Sequence, residues 1–159
     1  MLRPDAYADR LSLVSLDDLA ARGIRGIIVD LDNTVVGYGR EELAPEDVAW
    51  VAGALSRGFR VVLLSNNFTG RVARVSAELG IPAISSALKP LPWAFARALK
   101  TLGTRKGETT VVGDQLFTDM LGAKLLGLHC ILTKPLVADD WHGTRVLRFL
   151  ERIVLGRRA

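Results

Sequence analysis

Hydrophobic positions along this chain fall into short unbroken runs, set apart by longer segments with helical spacing. Gly26–Leu31, Arg60–Leu64, Thr109–Val112 and Cys130–Thr133 read as buried strands, with Ala83–Ser85 as a weaker one. Continuous apolar runs, rather than alternation, suit strands covered on both faces. Between them, Pro45–Arg57 begins with Pro and two acids, carries Val48, Val51, Ala52 and Leu55 on one side, and stops at Gly58. Pro is preorganised for a helix start, acids favour its positive end, and Gly accepts the left-handed cap. The same punctuation predicts helices over Thr69–Leu79, Leu91–Leu102 and Thr118–Leu126, with Thr118 as the cap of the last. A final helix is expected over Asp140–Leu155, and residues 1–23 read as an amphipathic opening segment with Leu11, Leu13, Val14, Leu16 and Leu19. Repeated βα units imply an α/β fold: a single doubly wound, Rossmann-like parallel sheet with helices on both faces. No linker splits it, so residues 1–159 are expected to form one domain, with residues 24–135 as its core.

Composition changes this picture little. A length of 159 residues with 49% hydrophobic and 24% charged residues suits a soluble domain with a full core. One cysteine, Cys130, cannot form an internal disulfide or a cysteine-based zinc site, and a reducing compartment is expected. No apolar run reaches membrane-spanning length, and the N-terminus shows no signal-peptide core, so a cytoplasmic location is expected. The net charge of +4 is a C-terminal property: Arg145, Arg148, Arg152, Arg157 and Arg158 against Glu151 account for all of it. A neutral body argues against a general nucleic-acid binder.

The chemistry is expected beyond the carboxyl ends of the strands, where open parallel sheets bind ligands. Asp30-Leu31-Asp32-Asn33-Thr34 follows the first strand, Ser65-Asn66-Asn67 the second, Lys89-Pro90 the third, and Gly113-Asp114-Gln115-Leu116-Phe117-Thr118-Asp119 the fourth. Carboxylates gathered this closely repel unless a cation binds between them. A few oxygen ligands suit Mg²⁺, which keeps waters and leaves positions for substrate oxygens. A lysine, a hydroxyl and amides beside such a cation suit a phosphate dianion. One aspartate can then attack phosphorus, and a second can pass the proton.

These four segments, in this order, resemble the four motifs of the haloacid dehalogenase (HAD) superfamily. The set DLDNT, SNN, KP and GDQLFTD is similar, more narrowly, to the YqeG family of HAD phosphatases, themselves similar to phosphatidylglycerophosphate phosphatases of mitochondria and plastids. The resemblance implies Asp30 as nucleophile and Mg²⁺ ligand, and Asp32 as general acid/base with its main-chain carbonyl on the metal. It implies Ser65 and Asn66 as phosphoryl-binding residues, Lys89 as the neutralising cation, and Thr34 as a support of the substrate loop. Asp114 becomes a metal ligand, and Asp119 orients the metal's shell. Asn67, Gln115 and Lys134 are secondary candidates.

No cap domain fits between the motifs: 35 positions separate Asp30 from Ser65, and 24 separate Ser65 from Lys89. The Val35–Arg40 loop is the only local cover, with Gly37 and Gly39 able to let it flex. An open site admits a phosphate on something large, and a homo-oligomeric partner is another way to cover it. The expected function is Mg²⁺-dependent phosphomonoester hydrolysis through an aspartyl-phosphate, with a lipid headgroup such as phosphatidylglycerophosphate as the leading substrate. A nucleic-acid end or other macromolecular phosphate, and a non-catalytic phosphate-binding scaffold, remain the alternatives. On the last predicted helix, Arg145, Arg148 and Arg152 share one stripe, a candidate for peripheral membrane contact. Trp50, Trp93, His129 and Cys130 are read as structural.

Overall fold

The computed structural model describes residues 2–37, 40–67 and 70–137. The elements run β1 (Ala6–Ala8), α1 (Leu16–Ala21), β2 (Gly26–Val29), α2 (Pro45–Ser56), β3 (Arg60–Leu64) and α3 (Gly70–Leu79). They continue as β4 (Ala83–Ile84), α4 (Pro92–Leu102), β5 (Thr109–Gly113), α5 (Leu121–Leu126) and β6 (His129–Thr133). All six strands are parallel, in the order β1-β6-β5-β2-β3-β4. Val29 lies level with Leu63 on one side and with Val112 on the other, so β2, β3 and β5 end side by side. The chain leaves β2 first toward β3 and β4, and later returns to its other flank as β5. The end of β2 is therefore the topological switch point, where a crevice opens in doubly wound sheets.

Alternate residues of each strand face two separate cores. Ile27, Val29, Val61, Leu63 and Val112 pack with α1, α2 and α3. Ile28, Val62, Leu64, Val111 and Cys130 pack with α4 and α5 on the opposite face. Both faces are dry, which is why these strands read as continuous apolar runs. The expected α/β architecture without a cap domain is what forms among the described residues.

Three sequence expectations shift. The chain opens with a strand: Ala6–Ala8 adds to the edge of the sheet beside β6. Three residues with no β-branched side chain give no periodic signal, so the edge strand was hidden. Leu11, Val14 and Leu19 then turn into the core, leaving Leu13 exposed. Second, Thr118 does not cap a helix; residues Leu116–Met120 form a π-helical turn before α5, and Thr118 Oγ1 donates to Gln115 Oε1 at 2.9 Å. Third, Trp93 is not a packing anchor: it is 56% exposed at the start of α4, whereas Trp50 is buried and donates to the Val14 carbonyl at 2.9 Å. The predicted Asp140–Leu155 helix and its arginine stripe lie outside the described residues.

The N-terminal segment is fastened by a charge that composition alone does not show. Asp47, in the first turn of α2, is fully buried and accepts from Arg10 Nη2 at 2.9 Å and from the Ser12 amide at 3.1 Å. Removing the carboxylate strands the Ser12 amide and leaves the partly buried Arg10 guanidinium with the longer contact to Glu46 Oε1 at 3.5 Å. Asp47→Ala is expected to lower stability by about 2–3 kcal/mol in urea unfolding. A loss below about 0.5 kcal/mol would mean that water takes over both bonds.

Candidate active site

The switch point is where the carboxylates meet. Asp30 follows β2 directly, and its amide donates to the Val112 carbonyl at 2.9 Å, extending the pairing with β5. The chain then turns tightly: Asn33 adopts φ 61°, its amide donates to Val36 at 2.7 Å, and the Val35 amide donates to Leu31 at 3.0 Å. Asn tolerates the left-handed region better than most residues. This turn buries Thr34, whose hydroxyl reaches Asp30 Oδ2 at 3.3 Å and Asp114 Oδ1 at 3.4 Å. Thr34 thus bridges acids from two strands.

Asp114 follows β5, and the π-helical turn brings Asp119 back over the strand end. The Asp119 carboxylate accepts from the Gln115 amide at 3.2 Å. Gly113 makes the approach possible, because a Cβ there would stand 2.3 Å from Asp119 Oδ2. That fold of chain explains a Gly at the first position of the GD pair without reference to flexibility. Gly113→Ala is expected to push Asp119 out of the cluster and to cost about 1–3 kcal/mol by overpacking. Thermal unfolding tests the cost, and weakened divalent-cation binding tests the displacement; unchanged binding would separate Asp119 from the metal.

Oxygen atoms of Asp30, Asp114 and Asp119 all lie within 4.8 Å of one another, and all three residues are buried. Lys89 enters among them. Its Nζ sits 2.5 Å from Asp30 Oδ1 and 2.6 Å from Asp119 Oδ1, with 4% of the side chain exposed. Burial opposes the charge on Lys89, but the carboxylates of Asp119 and Asp30 outweigh it and hold its pKa above the usual lysine value. Asp119 is pushed up to about 6 by burial and then by the Asp30 carboxylate, against the opposing pull of Lys89 and the Gln115 amide. One ammonium does not balance three carboxylates. The donor set is all oxygen, buried and negative, and it fits a hard divalent cation.

Lys89 is itself held by its main chain. Asn66 clamps it at both ends: the Lys89 amide donates to Asn66 Oδ1 at 2.7 Å, and Asn66 Nδ2 donates to the Lys89 carbonyl at 3.1 Å. The Asn66 side chain, expected on the phosphoryl group, thus also positions the lysine. The Lys89–Pro90 peptide bond is cis. Ser65 is buried at the end of β3 and its hydroxyl accepts from the Asn67 amide at 3.0 Å, leaving its own hydrogen to donate.

Asp32 stands apart from the three-acid cluster. Its Oδ1 pairs with Arg71 Nη1 at 2.7 Å, an ion pair absent from the sequence expectation. Lys134 is exposed and pairs with Asp9 at 2.6 Å. His129 bonds Thr110 through Nδ1 at 2.8 Å, and burial lowers its pKa. Cys130 is buried, and burial pushes its thiol up to about 11, an inert core group.

Comparison with known proteins agrees with this geometry. A family described as haloacid dehalogenase-like hydrolase matches residues 14–127. The "Probable phosphatase YqeG" of Bacillus subtilis is 38% identical over 152 residues, covering 96% of this chain and 88% of that protein. The chloroplastic/mitochondrial phosphatidylglycerophosphate phosphatase 1 of Arabidopsis thaliana is 25% identical, but this chain spans 47% of its length. Among solved structures, the cobalt-bound deoxy-D-mannose-octulosonate 8-phosphate phosphatase of Haemophilus influenzae superposes with a TM-score of 0.60 at 17% identity. That match covers 85% of this chain and 89% of the other, a likeness of fold. The chain belongs to the haloacid dehalogenase-like hydrolases. Within that superfamily it is a phosphatase, similar over nearly its full length to YqeG.

Proposed function

We propose that this phosphatase hydrolyses phosphomonoesters with Mg²⁺ through a phosphorylated Asp30, and that its substrate is a phosphorylated lipid headgroup, phosphatidylglycerophosphate first among them. The observation that carries the chemistry is the buried Lys89 ammonium shared by Asp30 and Asp119 within a three-carboxylate cluster at the sheet's switch point. When bound, a Mg²⁺ held by Asp30, Asp114 and Asp119 would neutralise phosphoryl oxygens as charge develops on them.

The chain's own residues supply the rest. An Asp30 oxygen attacks phosphorus, and the bond to the leaving alcohol oxygen breaks. Asp32 gives its proton to that oxygen, then takes one from the water that attacks the aspartyl-phosphate; inorganic phosphate leaves and Asp30 is regenerated. Lys89 balances the phosphoryl charge, and the Ser65 hydroxyl and nearby amides orient it. Thr34 keeps Asp30 and Asp114 in register.

The lipid assignment rests on two supports. No cap domain stands over the site among the described residues, so a bulky headgroup can approach. The plant enzyme similar to this chain bears phosphatidylglycerophosphate in its name. The basic residues Arg145–Arg158 belong to the same reading, as a peripheral contact of a cytoplasmic protein with an anionic bilayer. No helix among the described residues is long and apolar enough to cross a membrane.

The test is phosphate release from phosphatidylglycerophosphate in mixed vesicles, set against a panel of soluble phosphomonoesters, with Mg²⁺ and then with excess chelator. Lipid turnover that chelator stops is the expected result. Fast turnover of small phosphates with the lipid untouched removes the lipid reading and leaves the chemistry. No turnover of any phosphomonoester, with phosphate still bound, favours a binding scaffold instead.

A further inference from the structure

Arg71 sits in the first turn of α3, where the helix dipole disfavours a cation and no acid is present to relieve it. A locally unfavourable placement points to a partner outside the helix. Arg71 has three. Nη1 donates to Asp32 Oδ1 at 2.7 Å, and Nη2 donates to the carbonyls of Gly37 at 3.0 Å and Arg40 at 2.8 Å. One turn on, Arg74 Nη2 donates to the Glu41 carbonyl. Two arginines of α3 therefore hold the main chain of the β2–α2 loop at three points. Arg71 also touches Asp32, at the start of the same loop, and the pair is largely sheltered, with 18% and 25% of the two side chains exposed.

We propose that Arg71 is a positioning residue that latches Asp32, at the start of the β2–α2 loop, to the Gly37 and Arg40 carbonyls further along it. The docked loop carries two carbonyls to one end of the guanidinium, and the other end sets the Asp32 carboxylate outside the three-acid cluster. Without the guanidinium, the Asp32 carboxylate loses the contact that sets its orientation. The proposal rests on the role given to Asp32 under the phosphatase reading.

The test compares Arg71→Gln, Arg71→Lys and Arg74→Ala, alone and in an Asp32→Asn background. Arg71→Gln is expected to lower kcat about 10- to 100-fold with KM changed less than about threefold, the usual effect of losing a group that orients a reacting one. Arg71→Lys recovers part of kcat, because an ammonium reaches Asp32 but does not span to the loop as well. Arg74→Ala loosens the same loop without touching Asp32 and falls less. In the Asp32→Asn background, Arg71→Gln should cost less than about threefold more, since the two act as a unit. Hydrogen exchange of residues 35–37 and 40–42, read without substrate, should quicken at least about tenfold in Arg71→Gln.

Additive losses in the double variant, or unchanged loop exchange, overturn the latch. So does an Arg71→Gln enzyme with normal kcat. Absence of wild-type turnover refutes the phosphatase reading separately, because the exchange measurement still reports on the loop. If Arg71→Gln fails to fold, Arg71→Lys carries both readouts.

Discussion

Asp30→Asn is expected to cut phosphate release by at least roughly three orders of magnitude while the protein stays folded. The side chains are nearly isosteric, and the Asp30 amide bond to Val112, which fixes the strand end, is unaffected. What is lost is the anionic oxygen proposed to bond phosphorus, and an amide is far too weak a nucleophile to replace it. The variant should also relieve repulsion, since Asp30 is among the groups that push Asp119 up to about 6. A metal-free Asp30→Asn protein should therefore melt no lower than the native one at neutral pH, provided its amide still accepts from Lys89. Phosphate release above about a tenth of the native rate would remove Asp30 as nucleophile. A collapse in melting temperature would mean that the loss of activity says nothing about mechanism.

The second large effect concerns Lys89. Lys89→Met keeps the apolar stem and deletes the ammonium that touches Asp30 and Asp119. Three buried carboxylates are then left without their cation, and the metal-free protein should lose about 3–5 kcal/mol at neutral pH. The sign with pH follows from Asp119. Its folded pKa lies above its ordinary value, so its charged form is the costly one, and that cost is absent when pH falls below both values. The destabilisation of Lys89→Met should therefore grow as pH rises from about 4 through 6 and beyond, because the missing ammonium no longer offsets the charge. Divalent cation should restore part of the stability by binding only the folded form. Urea unfolding across that pH range, with and without Mg²⁺, measures both. A loss that is flat with pH and untouched by cation would mean that Lys89 serves packing alone.

How far the sequence reached can be judged from particular residues. The central strands were legible because both of their faces are dry; Arg60–Leu64 forms over the range its apolar run predicts. Asp30, Asp114, Asp119 and Lys89 were legible because Asp30 and Asp114 directly follow strands, Lys89 and Asp119 stand in the segments just beyond, and a parallel sheet brings those ends together. The edge strand Ala6–Ala8 was not, because pairing with β6, rather than its own pattern, makes it a strand. Arg71 and the clamp by Asn66 were also hidden. Both depend on where a loop lies relative to a helix or another loop, which residue spacing does not encode. In hindsight, a cation in the first turn of a helix was the one local sign of Arg71.

The Asn66 clamp has a consequence for the sheet's weakest member. β4 is only two residues long and pairs with β3 alone, so its own ladder offers little resistance to opening. Yet the segment that follows it delivers the cation on which the acid cluster depends. By gripping the Lys89 main chain from the end of β3, Asn66 anchors that delivery to the interior of the sheet instead of to its fraying border. The lysine's reach into the cluster is thereby insulated from breathing of the edge, and the outermost strand can loosen without taking the site's electrostatic balance with it.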